Sequence, residues 1–493
     1  MAVKTEDFAV GEPERLHPLL LLTGLAGSLR QMAGGYAFIG YLAFSGRAGT
    51  ALIAALALFA MLAVGLYLYW RRFEYRVGTN EIRIDSGIIS RTHRSIPFDR
   101  IQDVDITQGP IARLLGIAKV KFETGASGGK DKDEGALQAV TLERAEQLRA
   151  LIRAHRSGTV EVAAPGTEVE QPALFAMDSR RLILAGLFNF SLALFAGLVG
   201  ATQTFGDALG IDPLSRAFWL SMLSAGDPIA DYVLAHRVVA ALGGAALLVI
   251  VGLATGVIRT VLREYGFRLD RTEVGLRRRR GLLTRTDVTL PARRAQAAIV
   301  RTGPLRDHFG WRELKLQSLA SDEGGGGDHV LAPLAQEEEV GTILSALGWR
   351  PLSVTVDWQR VSSAYLWALA IVALPLLLLF AVLAAIEAPF LLLIGGLFLV
   401  LLLRWRAWRR TLYAFDGDRL LMRTGWWRRR TVILPFDKIQ SVDLTENIVS
   451  RLFGTAGLGF GVAGGSGFSA HAIPALPRNT ARQLREQLLV SVR

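Results

Sequence analysis

Four consecutive arginines, Arg277-Arg278-Arg279-Arg280, with Arg285 close behind, form the densest cationic cluster in the chain. Arg428-Arg429-Arg430 and the sparser Arg91 and Arg94 occupy comparable places elsewhere. A guanidinium offers a planar fork of donors that matches two phosphate oxygens, so these clusters suit a phosphate or an anionic lipid head. Trp426 and Trp427 beside the third cluster suit the membrane–water boundary. A solvated strand face held near an anionic membrane is the alternative use of the same charge. Other chemistries find little support. There is no Cys, which removes disulfide and thiolate chemistry, and the seven His are scattered without a zinc-ligand spacing. The glycine run Gly324–Gly327 is not closed by Gly-Lys-Ser/Thr and reads as a hairpin tip. No nucleophile, base and carboxylate fall into a catalytic arrangement. The expectation is a protein without catalytic residues, metal or cofactor.

The arginine clusters sit in a stretch that the chain carries three times. Its fixed points are Gly87, Pro97, Gln102 and Gly116; Gly281, Pro291, Gln296 and Gly310; and Gly425, Pro435, Gln440 and Gly454. In every copy Gly precedes Pro by ten residues, Gln follows Pro by five, and the closing Gly follows Pro by nineteen. Identical spacing in three copies marks an internal repeat, which decides the architecture before any single residue does.

The run before each Pro, such as Thr431-Val432-Ile433-Leu434, predicts a strand ending where a missing N–H is tolerated. The Gly ten residues earlier predicts a hairpin turn. Val104 and Ile106, or Val442 and Leu444, alternate with polar residues and predict a second strand after the Gln. By parity the Gln falls on the apolar face, where its amide would tie down the backbone of the Pro turn. Ile111, Leu114 and Leu115, matched by Ile448, Leu452 and Phe453, predict a short helix ended by Gly. Further strands follow, broken by glycine-rich tips at Gly125–Gly135, Gly324–Gly327 and Gly464–Gly467. Each copy closes on an amphipathic helix: Glu143–His155, Leu334–Leu347 and Pro477–Val490, with Leu148, Leu151, Ile152, Leu484 and Leu488 on the buried side.

The chain of 493 residues is 51% hydrophobic and 20% charged, with mean hydropathy +0.32. That excess of apolar residues over an ordinary soluble protein is explained by runs of membrane-spanning length. Six spans are expected as three pairs: Gln31–Ser45 with Thr50–Trp70, Leu182–Ala201 with Val238–Ile258, and Tyr365–Ile386 with Phe390–Leu403. Leu16–Leu29 reads as an interfacial segment leading into the first of them. The resulting division is a tail (1–15), a span pair (16–72), a domain (73–155), a linker (156–178), a span pair (179–260) with an external loop (202–237), a domain (261–348), a span pair (349–406) and a domain (407–493). Nearly all of the 56 Lys and Arg lie in the tail, the domains and their flanks, while the external connections hold Arg47 and Arg216 with Arg237 at an edge. Basic residues remain on the cytoplasmic side, so both termini and all three domains are expected there, in a bacterial inner membrane. The net charge of +12 is then topology plus attraction to anionic lipid heads, not nucleic-acid binding. Asn189 and Glu387 are the notable polar residues in or beside the spans, and their scarcity speaks against an ion-coupled transporter.

The Ile/Leu-Pro, the Ile-Gln five residues on and the closing Arg-Leu-Leu/Phe-Gly resemble the YdbS/YdbT-type bacterial pleckstrin-homology domain family. A span pair ahead of each domain resembles the multi-domain membrane members of that family. The resemblance covers about Leu16 to Leu489 and implies three antiparallel β-barrel-like pleckstrin-homology domains, each ending in a C-terminal helix, on a multi-pass α-helical membrane protein. Copy two departs from the pattern, with Ala295 before the Gln and Asp307 where the others have Arg113 and Arg451. The expected function is a membrane-anchored scaffold whose domains bind protein partners, lipid heads or further copies of the chain. The alternative is transport or a flippase-like role of the six-span bundle.

Overall fold

The computed structural model of the chain describes residues 12–31, 39, 42, 46–87, 92–124, 136–157, 172–190, 236–319, 328–352, 356–463 and 471–491. The glycine-rich tips, Arg91, most of the first expected span, the third span beyond Phe190 and nearly all of the 202–237 loop lie outside the described residues.

One element order is used three times. The first repeat runs β1 (Glu14–Arg15), α1 (Leu20–Gln31), α2 (Ala48–Arg72), β2 (Glu74–Val77), β3 (Glu81–Ser86), β4 (Thr92–Pro97), β5 (Ile101–Gln108), α3 (Pro110–Leu114), β6 (Ile117–Thr124), β7 (Ala136–Thr141) and α4 (Leu142–Ser157). The second runs β8 (Phe175–Ala176), α5 (Ser179–Phe188), α6 (Arg237–Glu264), β9 (Arg268–Arg271), β10 (Gly275–Arg280), β11 (Arg285–Pro291), β12 (Ala295–Thr302), α7 (Pro304–His308), β13 (Arg312–Ser318), β14 (Asp328–Ala335) and α8 (Glu337–Ala346). The third runs β15 (Gln359–Arg360), α9 (Ala364–Ile386), α10 (Phe390–Arg409), β16 (Leu412–Asp416), β17 (Arg419–Thr424), β18 (Arg429–Pro435), β19 (Ile439–Thr445), α11 (Ile448–Leu452), β20 (Thr455–Val462), β21 (His471–Pro477) and α12 (Arg478–Ser491).

The fixed points of the repeat have the same backbone in each copy. Pro97, Pro291 and Pro435 end β4, β11 and β18 with φ of −60°, −61° and −63°, and each leads into one turn of 3-10 helix. Gly87, Gly281 and Gly425 take positive φ at the hairpin, as do Gly116, Gly310 and Gly454 after the short helix. The Gln is where the parity argument fails. Each strand pairing slips by one residue there: Ile101↔Thr124 is followed by Asp103↔Glu123, Ala295↔Ser318 by Ala297↔Gln317, and Ile439↔Val462 by Ser441↔Gly461. Gln102, Gln296 and Gln440 are therefore the extra residue of a β-bulge, which reverses side-chain parity downstream and bends the strand. Gln296 is buried, and its Nε2 donates to the Arg294 carbonyl at 3.3 Å, the tie to the Pro turn that its position suggested. Gln440 faces solvent instead.

Four helices among the described residues are long and apolar enough to cross a membrane: Gly49–Arg72, Ala241–Glu264, Ala364–Ile386 and Phe390–Arg409. Each domain also begins upstream of its spans, which the linear division overlooked. β1 pairs with β2, β8 with β9 and β15 with β16, all antiparallel, so the chain touches the domain before it enters the membrane. Phe175 and Ala176 thus belong to a strand and not to the 156–178 linker. Leu16 and Leu20 are buried in the first domain's core with Tyr75, Ile82, Leu148 and Ile152, not in the membrane interface. Trp70, at the end of α2, donates from Nε1 to the Leu16 carbonyl at 2.8 Å; Trp408 does the same to the Val361 carbonyl at 3.1 Å. An indole at the boundary therefore fixes the end of the span to the strand that precedes the pair. Three details differ from the amphipathic reading: Leu151 is exposed on α4, Ile111 and Leu114 are exposed on α3, and α8 begins at Glu337. The late start follows from capping, since the Glu339 carboxylate accepts the Gln336 N–H at 2.8 Å.

The described residues divide into two compact units: Met1–Gln171, Met177–Phe267 and Arg279–Thr289 in one, Pro172–Ala176, Arg268–Arg278 and Leu290–Arg493 in the other. In the first unit hydrogen-bonded strands run β1-β2-β3-β4 and, separately, β7-β6-β5-β11. In the second they run β14-β13-β12-β18-β17-β16-β15 and β19-β20-β21. Both units therefore contain a strand of one repeat paired with a strand of the next.

Candidate interdomain and membrane-boundary site

The two cross-repeat pairings share one register. β5 meets β11 with Gln108↔Arg285, Thr107↔Thr286 and Ile106↔Asp287. β12 meets β18 with Thr302↔Arg429, Arg301↔Arg430 and on to Ala298↔Ile433. Gln108 and Thr302 both lie six residues after the bulge Gln, and Arg285 and Arg429 both lie six before the Pro. The junction is thus a repeated structure.

Side chains lock each junction. In the first, Arg149 of α4 is 5% exposed and reaches through to both strands. Its Nε and Nη2 donate to the Val104 carbonyl at 3.1 and 3.0 Å, Nη1 to Asp287 Oδ2 at 2.8 Å, and Nη2 to the Asp287 carbonyl at 3.1 Å. Arg113 of α3 donates to the Leu282 carbonyl in the hairpin of the second repeat. In the second junction Arg429 pairs with Asp307 of α7. The departure of copy two from Arg at this position is therefore matched across the junction: a cation meets a carbonyl in one case, and a carboxylate meets a cation in the other.

His471 of β21 closes the second junction from within. Its Nε2 lies 2.8 Å from Gln317 Oε1 and its Nδ1 3.1 Å from Arg430 Nη2, so the neutral ring donates to one and accepts from the other. Burial, then the Arg430 charge, push its pKa from 6.5 down to about 4, with Asp328 opposing. A pKa depressed in the folded state makes stability complete above about 6.5 and lost as pH falls toward 4, because the unfolded chain binds the proton first. Acidifying from pH 7 to pH 5 should therefore remove about 2 kcal/mol through this residue alone. Thermal unfolding of the detergent-solubilised protein checks this: the His471→Gln variant should lose much of the acid sensitivity between those pH values, and an unchanged profile would refute it.

The arginine clusters divide between inside and outside. Arg278 is fully buried and donates from Nη1 to the Val330 carbonyl at 3.2 Å. Arg280 is buried against Glu264 at the end of α6, with Nη1 2.9 and 3.1 Å from its two carboxylate oxygens. Alternation along β10 sends these two residues inward, so neither meets the expected lipid head. Arg277 and Arg279 are half-buried, as are Arg94, Arg429 and Arg430; Arg285 and Arg428 are exposed. The hairpin of the second repeat is also fixed to its span by backbone: Gly281 N–H to the Tyr265 carbonyl at 2.8 Å and Leu282 N–H to the Leu262 carbonyl at 3.1 Å.

At the short helices, apolar side chains point outward. Leu114 is 88% exposed, Leu452 73%, and Leu305, Phe309 and Trp427 are exposed with them. The i, i+3 pattern suggested burial, but a helix of five residues ended by Gly packs only one side, and these side chains stand on the other. Asn189, at the end of α5, donates from Nδ2 to Thr260 Oγ1 of α6 at 3.1 Å. Gly186 and Gly256 permit that approach of α5 to α6, since a Cβ at Gly186 would lie 2.5 Å from the Val257 Cα.

Comparison with known proteins agrees with this architecture. The sequence model of the bacterial PH domain (bPH_2) matches residues 23–156, 229–351 and 352–491. The chain is similar to the UPF0699 transmembrane protein YdbT of Bacillus subtilis (strain 168), with 25% identity over 485 residues covering 90% of this chain and 91% of the relative. It is also similar to the UPF0699 transmembrane protein YdbS of the same organism, 36% identical over 80 residues, covering 16% of this chain and 45% of the relative. No solved structure matches at a significant level.

Proposed function

Because this chain belongs to the bacterial PH domain family, we propose that it is a non-catalytic scaffold, anchored in the bacterial inner membrane, whose PH-like domains face the cytoplasm and recruit protein partners. The observation that carries the reading is the pair of strand junctions. Three independent lipid readers would have no use for pairing an edge strand of one repeat with a strand of the next in a shared register. The inward arginines support the same conclusion, since Arg278 and Arg280 serve the Val330 carbonyl and Glu264 and not an external phosphate. Anionic lipid heads are left to the outward cations: Arg285, and separately Arg428 next to the exposed Trp427. The cytoplasmic orientation rests on the Lys and Arg that crowd the domain side of the spans.

Photo-crosslinking in native membranes tests the scaffold reading. A photoreactive residue at Asp99 or Asp437, both strongly exposed after the Pro turn, should yield discrete protein adducts, and one at the exposed span residue Leu378 should not. Lipid adducts alone from all three positions, with lipid transport by the reconstituted protein, would favour the flippase-like alternative. Orientation is read separately. The chain has no Cys, so Asp437→Cys provides a single thiol. It should resist an impermeant thiol reagent in intact cells and react after permeabilisation; labelling in intact cells overturns the cytoplasmic assignment.

A further inference from the structure

The junction that joins successive repeats leaves one half of itself unused at each end of the series. Among the described residues β4 is the terminal strand of its sheet, and so is β19. They are the counterparts of the two strands that pair at each internal junction: β4 corresponds to β11 and β18, and β19 corresponds to β5 and β12. Burial shows the difference. Three residues after the bulge Gln, Asp105 and Ile299 are buried beside the next repeat, whereas Asp443 is exposed. Two and five residues before the Pro, Thr289 and Thr286 are buried, whereas Ser95 and Thr92 are exposed. Arg485 of α12 repeats the inner half of the Arg149 lock, its Nε donating to the Val442 carbonyl at 3.3 Å, yet it stays exposed where Arg149 is covered by β11.

We propose that β19 of one copy of this chain pairs antiparallel with β4 of a second copy, in the register already used twice within the chain. Carrying that register over sets Val442 opposite Ser95, Asp443 opposite Arg94, Leu444 opposite His93 and Thr445 opposite Thr92. The pairing places a carboxylate against a guanidinium at the centre of the new ladder, a favourable cross-strand pair. It also brings the His93 carbonyl to the place where Arg149 finds the Asp287 carbonyl, within reach of Arg485. Among the described residues these strands of six and seven residues are terminal in their sheets, and an edge strand offers a row of backbone N–H and C=O groups to which a matching strand can add. The contact is heterologous, head to tail, because the two edges differ. It rests on the scaffold reading and names one partner: the chain itself.

The absence of Cys allows the test to be made on the full-length protein in membranes. One tagged chain carries Thr92→Cys and a differently tagged chain carries Thr445→Cys, and the two are co-expressed and oxidised. A disulfide-linked dimer bearing both tags is expected, at least tenfold more abundant than from Ser95→Cys with Thr445→Cys, which is three residues out of register. Arg94→Asp alone and Asp443→Arg alone should each reduce the dimer at least fivefold, and both together in every chain should restore it to within twofold. Thermal midpoints of the purified variants establish that they fold. No dimer, or equal yield from the off-register pair, overturns the proposal. Failure here leaves any protein adducts at Asp99 and Asp437 untouched, so it is distinct from failure of the scaffold reading.

Discussion

Arg149→Met should destabilise the first domain and its junction with the second by about 3–5 kcal/mol, the usual cost of removing one partner from a buried ion pair. The methionine keeps most of the stem volume, so the loss is polar. It leaves the Val104 and Asp287 carbonyls short of donors and the Asp287 carboxylate, 16% exposed, without its cation. Asp287→Asn should cost less, about 1 kcal/mol, because an amide oxygen still accepts from Nη1. The control lies within the same molecule. Arg485 occupies the equivalent place on α12, makes one bond to a carbonyl at 3.3 Å and faces solvent, so Arg485→Met should cost under about 1 kcal/mol. Hydrogen exchange read at β5 and β11 checks the ranking, with protection falling only in the Arg149 and Asp287 variants. Equal, small effects at Arg149 and Arg485 would show that the junction is held by backbone pairing and not by this lock.

The second large effect is expected at the hairpin glycine. Gly281 has φ +111°, and a Cβ there would lie 1.8 Å from the Thr284 carbonyl oxygen; at Gly425 the values are +81° and 2.1 Å from the Arg428 oxygen. Gly281→Ala thus combines backbone strain with overlap against backbone atoms that cannot rotate away, and about 3 kcal/mol or more should be lost. Gly310 also has positive φ, +72°, but has nothing within 4 Å of its Cβ position, so Gly310→Ala should cost only the left-handed penalty of about 1–2 kcal/mol. Thermal unfolding of the solubilised proteins reads the difference. Because the Gly281 and Leu282 N–H groups donate to carbonyls at the end of α6, the Gly281→Ala variant should also lose exchange protection of the amides at positions 281 and 282. A midpoint equal to that of Gly310→Ala would show that the hairpin relaxes around the methyl group.

Where sequence reasoning succeeded, the information was local. A Pro at the end of a strand, a Gly with positive φ and a twenty-residue apolar run are each dictated by the backbone chemistry of a few neighbours, and the element order followed from them. Gln296 is an instructive middle case. Its burial and a tie to the backbone of the Pro turn follow from parity, and the structure shows the acceptor to be the Arg294 carbonyl; yet parity is broken at that residue by the bulge, and the same reasoning puts Gln440 on the wrong face. A bulge depends on the partner strand, whose register no short window reveals. The exposed leucines of α3 and α11 misled for a related reason: periodicity says which residues share a helix face, not which face is covered.

The sequence by itself determined three repeats, apolar runs of spanning length and the sites of their turns, because spacing, hydropathy and the steric limits of Gly and Pro act over short distances. Tertiary structure alone decided that Glu14-Arg15, Phe175-Ala176 and Gln359-Arg360 return to pair with their domains. It alone decided that Arg278 and Arg280 turn inward, and that β5 and β12 complete themselves with strands of the following repeat. These outcomes depend on backbone donors and acceptors, which are the same for every residue and leave no mark in composition. A strand edge is recognised only by what lies beside it, so the junctions, and the two unused halves of them at β4 and β19, became visible only when the chain was folded.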